Sequence, residues 1–324
     1  MQFDVDVWLK VGSYAGGGLA IGFGAIGAAI GEGYTASQAN GAISRNPSIS
    51  GEILKTMLVG QAIAESASIF ALVVALILLF SPSPGHSFVN VWALFAAGIC
   101  VGLAAIGSGV GAGYPAGAAC TGTARQPSLS KRLTTNMLIG SAVCQTPAIF
   151  GLVISFILIY SEAAVKPLWP TWAAVLGAGL STGLSAVGAG YGSGMVAGAS
   201  CEGIARQPKA ATVTTNSMLL GQAISQTTAI YGLLIGFILL FKSYPESTDL
   251  APAMALLSAG ICMGIGGIGP GIGEGICAHS AVKWIARNSE QAGVLSRTML
   301  VGMAVAESTG IYSMVISLIL IFVL

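Results

Sequence analysis

The chain has 324 residues, 54% of them hydrophobic and only 8% charged, with a formal net charge of +1. Soluble domains carry about 25% charged residues, so this composition excludes an ordinary soluble enzyme and indicates a polytopic membrane protein. A near-neutral chain also lacks the electrostatic footprint of a nucleic-acid partner.

The N-terminus places Asp4 and Asp6 where a secretory signal has its basic region, and no small-residue cleavage pattern follows the first apolar run. That run is therefore expected to stay in the mature protein. Self-similarity then organises everything downstream. Arg45-Asn46-Pro47, Arg125-Gln126-Pro127, Arg206-Gln207-Pro208 and Arg287-Asn288-Ser289 recur with a period of 80 or 81 residues. Each repeat reads as two long apolar helices around a short polar loop. The helices are expected at 8–43 and 51–81, 88–122 and 131–161, 169–203 and 211–242, and 250–284 and 292–323. All exceed the ~20 residues that cross a hydrocarbon core. The predicted fold is an all-α membrane protein of eight transmembrane helices in four tandem parallel hairpins, divided 1–82, 83–162, 163–243 and 244–324.

Charge orients the hairpins. Arg45, Lys55, Arg125, Lys131, Arg132, Arg206, Lys209, Lys283, Arg287 and Arg297 lie in or beside the four loops, whereas Lys10, Lys166 and Lys242 flank the opposite ends. The basic excess predicts cytoplasmic loops with both termini on the outer side, periplasmic or lumenal. Trp8, Trp92, Trp169 and Trp172 cluster at the outer ends as an interfacial belt. The linkers there, SPSPGHS at 81–87 and SYPEST at 243–248, read as short turns.

The two helices of a hairpin differ in kind. The first carries glycines at spacings of three to five: Gly18, Gly22, Gly27 and Gly31; Gly109, Gly113 and Gly117; Gly190, Gly194 and Gly198; Gly260, Gly264, Gly267, Gly271 and Gly275. Such a bare stripe lets neighbouring backbones approach closely. The second helices, rich in Leu, Ile and Val, suit an outer layer against lipid. Gly22-Phe23-Gly24-Ala25-Ile26-Gly27 formally matches a dinucleotide fingerprint, but no strand precedes it and packing is the better reading. Cys100, Cys120, Cys144, Cys201, Cys262 and Cys277 show no CxxC spacing, and His86 and His279 have no second ligand at helical spacing, so all eight read as packing residues. No Walker motif, catalytic triad or HExxH occurs, and no cofactor is expected.

Each second helix carries one strongly polar residue at the same register: Glu65, Gln145, Gln226 and Glu307. Glu32 and Glu274 lie on the first helices about 16 residues before the loop tip, hence at about the same depth, ~25 Å from it. Hairpins one and four therefore carry two acids each; hairpins two and three have Ala112 with Gln145 and Ser193 with Gln226. A carboxylate inside an apolar span costs at least ~2.5 kcal/mol, so the pairs read as functional. Mutual repulsion favours one shared proton with a monovalent cation, or two protonated acids. Ser66, the Ile63 carbonyl, Ser308, the Val305 carbonyl, Thr309 and Tyr312 supply further oxygens, a set suited to a hard cation. Hydrogen-bond glue between helices would not require acids in two repeats and amides in the other two.

The glycine-rich first helix, the Arg-Gln-Pro-type loop, and the Ala-Glu-Ser run followed by Phe or Tyr resemble the rotor-ring proteolipid, the c or K subunit, of rotary ATPases. The resemblance covers almost the whole chain. It implies a two-layered ring of hairpins, built from copies of this chain or related proteolipids, with first helices inside and second helices outside. It implies a non-catalytic protein whose Glu65 and Glu307, with Glu32 and Glu274, load and unload Na+ or H+ at a stator membrane subunit. The loops at Arg45, Arg125, Arg206 and Arg287 would dock the central stalk. By the same resemblance Glu307, the Val305 carbonyl and Ser308 would ligate Na+, Thr309 would hold a water, and Tyr312 would hydrogen-bond the carboxylate. Glu274 stands where many sodium rotors have Gln. Hairpin one keeps Glu32, Glu65, Ser66 and the Ile63 carbonyl but has Ala67 and Phe70. Family sites straddle neighbouring hairpins, so Thr227 with Ile224, or Thr146 with Val143, are the alternatives for completing one. Loss of acids from half the hairpins, as in vacuolar-type proteolipids, implies an ATP-driven pump, since fewer ions per turn are each driven up a steeper gradient. Pro147 is expected to kink its helix. An internally repeated secondary ion transporter and a structural lipid-binding bundle are the other classes the residues allow.

Overall fold

The computed structural model describes residues 4–81, 85–161, 166–247 and 249–323. Parts of the linkers at 81–87 and 243–248, and the hairpin boundaries placed at 82/83 and 162/163, lie outside the described residues. The helices are α1 (Val5–Arg45), α2 (Ser50–Phe80), α3 (Phe88–Arg125), α4 (Ser130–Tyr160), α5 (Leu168–Arg206), α6 (Ala211–Ser225), α7 (Thr227–Phe241), α8 (Leu250–Arg287) and α9 (Ala292–Phe322). Among the described residues, eight helical segments are long and apolar enough to cross a membrane, α6 and α7 together making one. This is the expected architecture, with first helices two to three residues longer at the loop end.

The polar loops are tighter than the sequence suggests. Asn46, Gln126, Gln207 and Asn288 leave helical geometry, and their N–H groups still bond the carbonyls of Ala42, Gly122, Gly203 and Trp284. A single 3-10 turn follows, opened by Pro47, Pro127 or Pro208, and by Ser289 in hairpin four. Proline suits that first position because its missing N–H would be unpaired there in any case. Four residues therefore reverse the chain.

First helices form one layer, with α1 against α3, α3 against α5, and α5 against α8. Second helices form the other, each nested against its own first helix: α2 also touches α3, α4 touches α5, and α6–α7 touch α8. Glycine sets the spacing of the first layer. A Cβ added at Gly27 would stand 2.6 Å from the Ala105 carbonyl oxygen and 2.6 Å from the Ile106 Cα, with no flexible side chain to yield. Lipid is as apolar as leucine, so close packing and inter-helix hydrogen bonds hold such layers together. Ser155 donates to the Ala97 carbonyl at 2.7 Å and Ser317, two repeats later, to the Ala259 carbonyl at 2.8 Å. Across hairpins, Thr35 donates to the Gly113 carbonyl and Asn46 to the Ala124 carbonyl. The linker lysines Lys166 and Lys242 cap carbonyls at the ends of α7 and α9, those of Leu240 and Ile321.

The row is closed in the middle and open at its ends. α3 and α5 are buried over most of their length, α1 and α8 over less than half, and α9 hardly at all. Gly109→Ala should force α1 and α3 apart and cost roughly 1–3 kcal/mol, the usual penalty for overpacking. Gly51→Ala, with nothing near its added methyl, should be neutral or stabilising by up to ~1 kcal/mol. Thermal unfolding of the two variants in detergent compares them directly.

Candidate functional site

All four acids lie within the spans, on facing helices of their own hairpins. Glu32 and Glu65 are within electrostatic reach of each other, as are Glu274 and Glu307. The second helix is held in register by a glutamine one turn toward the loop: Gln61 donates to the Glu32 carbonyl at 3.2 Å, and Gln222 repeats this on Ser193 at 3.1 Å. Among the described residues, no basic side chain forms an ion pair with any of the four acids.

The two pairs differ in their surroundings. Glu274 is completely buried, and neither of its carboxylate oxygens has a hydrogen-bond partner. The Thr228 hydroxyl is likewise buried and unpartnered, and its Oγ1 lies 2.9 Å from where a Gly271 Cβ would stand on α8. Tyr231 donates its hydroxyl to Glu307 Oε1 at 2.5 Å. Hairpin three therefore supplies a hydroxyl, that of Tyr231, to an acid of hairpin four. Glu65 lies on the open edge of the row and is exposed.

Several expected ligands are placed differently. Tyr312, expected on Glu307, is 65% exposed, and Tyr231 of the preceding hairpin makes that bond. The reason is the register between hairpins: a second helix aims this tyrosine position forward at the next repeat. Ser66 and Ser308 fold back on the Ile63 and Val305 carbonyls of their own helices at 2.6 and 2.7 Å, and Thr309 on the Ala306 carbonyl at 3.1 Å. Val305 is 69% exposed on α9. The Ile63 carbonyl does not serve Glu65; it accepts the Gln145 amide of hairpin two at 3.0 Å. Tyr231 and Thr228 lie outside the expected set, although Thr227 with Ile224 is one of its alternatives.

The amide hairpins explain the geometry of the acid ones. Gln145 donates to the Ile63 carbonyl, and Gln226 donates to the Val143 carbonyl at 2.5 Å. Proline at 147 has no N–H, so Val143 loses its i+4 helical partner and its carbonyl is free for Gln226. The next N–H, of Ala148, bonds Ser108 Oγ at 3.1 Å. Pro147 sits inside the continuous helix α4, and the second-helix layer is interrupted one repeat later, at Gln226 between α6 and α7. At the third hairpin interface the corresponding side chain is Glu307, whose carboxylate has no N–H to donate and instead accepts from Tyr231.

A family model for the C subunit of ATP synthase matches four times, at residues 15–78, 95–158, 176–239 and 257–320. The chain belongs to that family. The K subunit of an A-type ATP synthase from Methanocaldococcus jannaschii is 33% identical over 202 residues, 61% of this chain and 82% of the relative. The ATP synthase c subunits of Petrotoga mobilis and Thermotoga petrophila are 56% identical over 69 residues and 49% over 79. Those matches span 21% and 23% of this chain and 72% and 93% of the two shorter proteins. As a member of the ATP synthase C-subunit family the chain is a rotor proteolipid, a non-catalytic integral membrane component, and neither the secondary transporter nor the structural bundle that its residues also allowed.

Gln226→Leu should strand the Val143 carbonyl and destabilise the interface of hairpins two and three by about 1–3 kcal/mol. Gln226→Glu should do the same at low Na+ and recover part of the loss as Na+ is added. Thermal unfolding at graded NaCl concentrations, against choline chloride, reads both.

Proposed function

We propose that this rotor proteolipid assembles into a ring and carries Na+ on paired glutamates, Glu307 with Glu274 and Glu65 with Glu32. The observation that carries this reading is the set of oxygens between hairpins three and four. Glu274 is buried with both oxygens unpartnered, the buried Thr228 hydroxyl lies against Gly271 of the same helix, and Tyr231 fixes one oxygen of Glu307. A proton needs a single acceptor. A shell of carboxylate, hydroxyl and carbonyl oxygens without a basic side chain is what a hard monovalent cation requires.

The chemistry follows from charge. Two carboxylates in an apolar medium repel, so a site holding one Na+ and one shared proton is close to neutral and crosses the lipid-facing part of a rotation without a bare charge. Opposite a stator subunit the cation exchanges and the carboxylate is briefly ionised. Hairpins two and three hold the same place with an amide, which presents a permanent N–H to the preceding carbonyl and cannot release a cation. Half the hairpins then carry ions, which favours ATP-driven pumping over synthesis, because the energy of each ATP is divided among fewer ions. The exposed Arg45, Arg125, Arg206 and Arg287 at the loops are the surface for a central stalk, with loops cytoplasmic and termini outside.

In purified protein, a carboxyl-reactive carbodiimide should label Glu307, and Na+ should block it. Tyr231→Phe should raise the Na+ concentration needed for protection about tenfold, the worth of one hydrogen bond to a charged group. Labelling is read by mass spectrometry of the Glu307 peptide. Protection that follows pH alone, with no effect of Na+, would make the cargo a proton. Replacing Glu65 and Glu307 together by glutamine should abolish ion transport by the assembled complex while ATP hydrolysis by its catalytic subunits remains measurable.

A further inference from the structure

Cations are shared unevenly among the loop ends of the second helices. Lys131 and Arg132 stand in the first turn of α4, where the same register holds Gly51 and Glu52 in α2, Thr212 and Val213 in α6, and Gly293 and Val294 in α9. Both side chains are exposed. Beside them, between α4 and α6, runs a groove of about 350 Å³. Lys131, Arg132, Thr135 and Ile139 line it from α4 and Thr215 from α6, with the buried Ile204 of α5 beneath. Arg132 reaches across to hairpin three, its Nη2 donating to the Thr212 hydroxyl at 3.4 Å.

No carboxylate lines this groove, and among the described residues neither Lys131 nor Arg132 forms an ion pair. The corresponding groove between α2 and α4, about 540 Å³, differs in charge: it holds Glu52 and Lys55 paired at 2.9 Å, so one of its cations is already neutralised. The polar groups of the α4–α6 groove are fixed from below. Asn136, only 3% exposed, donates to Ser200 Oγ at 3.1 Å and accepts the Thr215 hydroxyl at 2.7 Å. Thr135 donates to the Lys131 carbonyl at 3.0 Å. With those hydroxyl protons committed, the threonine oxygens remain as acceptors, and Lys131 and Arg132 are the donors at the mouth. Further into the span the surface turns apolar, with Leu138 and Ile139 of α4 and Leu219 and Leu220 of α6 exposed.

We propose that the groove between α4 and α6 binds one anionic phospholipid from the loop-side leaflet, its phosphate on Lys131 and Arg132 and its acyl chains along the apolar surface below. Basic pockets between membrane helices attract anionic headgroups, and long basic side chains reach headgroup level while their stems stay on apolar surface. A free phosphate would satisfy the two cations alone. A lipid also covers Ile139 and Leu220, and a glycerol headgroup can donate its hydroxyls to Thr135 and Thr215. The assignment does not depend on which ion the glutamates carry. It gives each copy of the chain one lipid that travels with it, over the seam joining the two amide hairpins.

Native mass spectrometry of the purified assembly in detergent, titrated with dioleoyl phosphatidylglycerol, tests this. One lipid per chain should be retained, and dioleoyl phosphatidylcholine should bind about tenfold more weakly. Lys131→Gln and Arg132→Gln should each weaken phosphatidylglycerol about fivefold, the worth of one cation beside an anionic headgroup, and the double variant about twenty-fivefold. Lys55→Gln, at the neighbouring groove, should leave the affinity unchanged. Ile139→Trp keeps both cations but fills the groove, and should also weaken the lipid. Equal binding of the two lipids, a double variant that binds phosphatidylglycerol as the parent does, or no effect of Ile139→Trp would overturn the proposal. So would displacement of the lipid by inorganic phosphate or sn-glycerol 3-phosphate at comparable concentration, which would make this a site for free phosphate.

Discussion

A polar side chain of one hairpin faces a backbone carbonyl of the hairpin before it, and this contact sets the terms for the rest of the structure. At two interfaces the side chain is a glutamine, whose amide donates to the Ile63 or Val143 carbonyl. At the third it is Glu307, which has no amide to donate and accepts from Tyr231 instead. Inside an apolar layer a carboxylate cannot be left without a partner at no cost. The Tyr231 hydroxyl and the second acid, Glu274, belong to that problem. Glycine makes the contact attainable, since only first helices without side chains on the shared face let neighbouring hairpins come this close.

The repeated architecture was legible in the sequence because it rests on composition and period. Arg-Asn-Pro and Arg-Gln-Pro tripeptides, long apolar runs and glycine spacings each report on a single helix or turn, and the helices fall within a few residues of the expected bounds. The depth of the acids was legible for the same reason: counting residues from a loop measures distance along a helix.

What the sequence hid was the relation between hairpins. Tyr312 stands five residues after Glu307 and reads naturally as its partner, yet i and i+5 lie on different faces of a helix. The side chain that reaches Glu307 comes from 76 residues earlier. A trace of this was present, in the swap of Phe70 and Phe150 for Tyr231 and Tyr312, but its meaning depends on knowing which way each second helix aims. Pro147 hid a related consequence. The carbonyl it frees is taken up by the neighbouring hairpin, within a helix that stays continuous.

Short linkers join the four hairpins into one polypeptide, and this determines which neighbours they have. Separate hairpins of such similar shape would shuffle, since glycine faces and apolar flanks discriminate poorly between an amide-bearing neighbour and an acidic one. Peptide bonds remove the choice: tethering raises the local concentration of the correct partner to the order of millimolar. The order acid, amide, amide, acid is thereby inherited from the gene, and no recognition code has to be written into the helix surfaces.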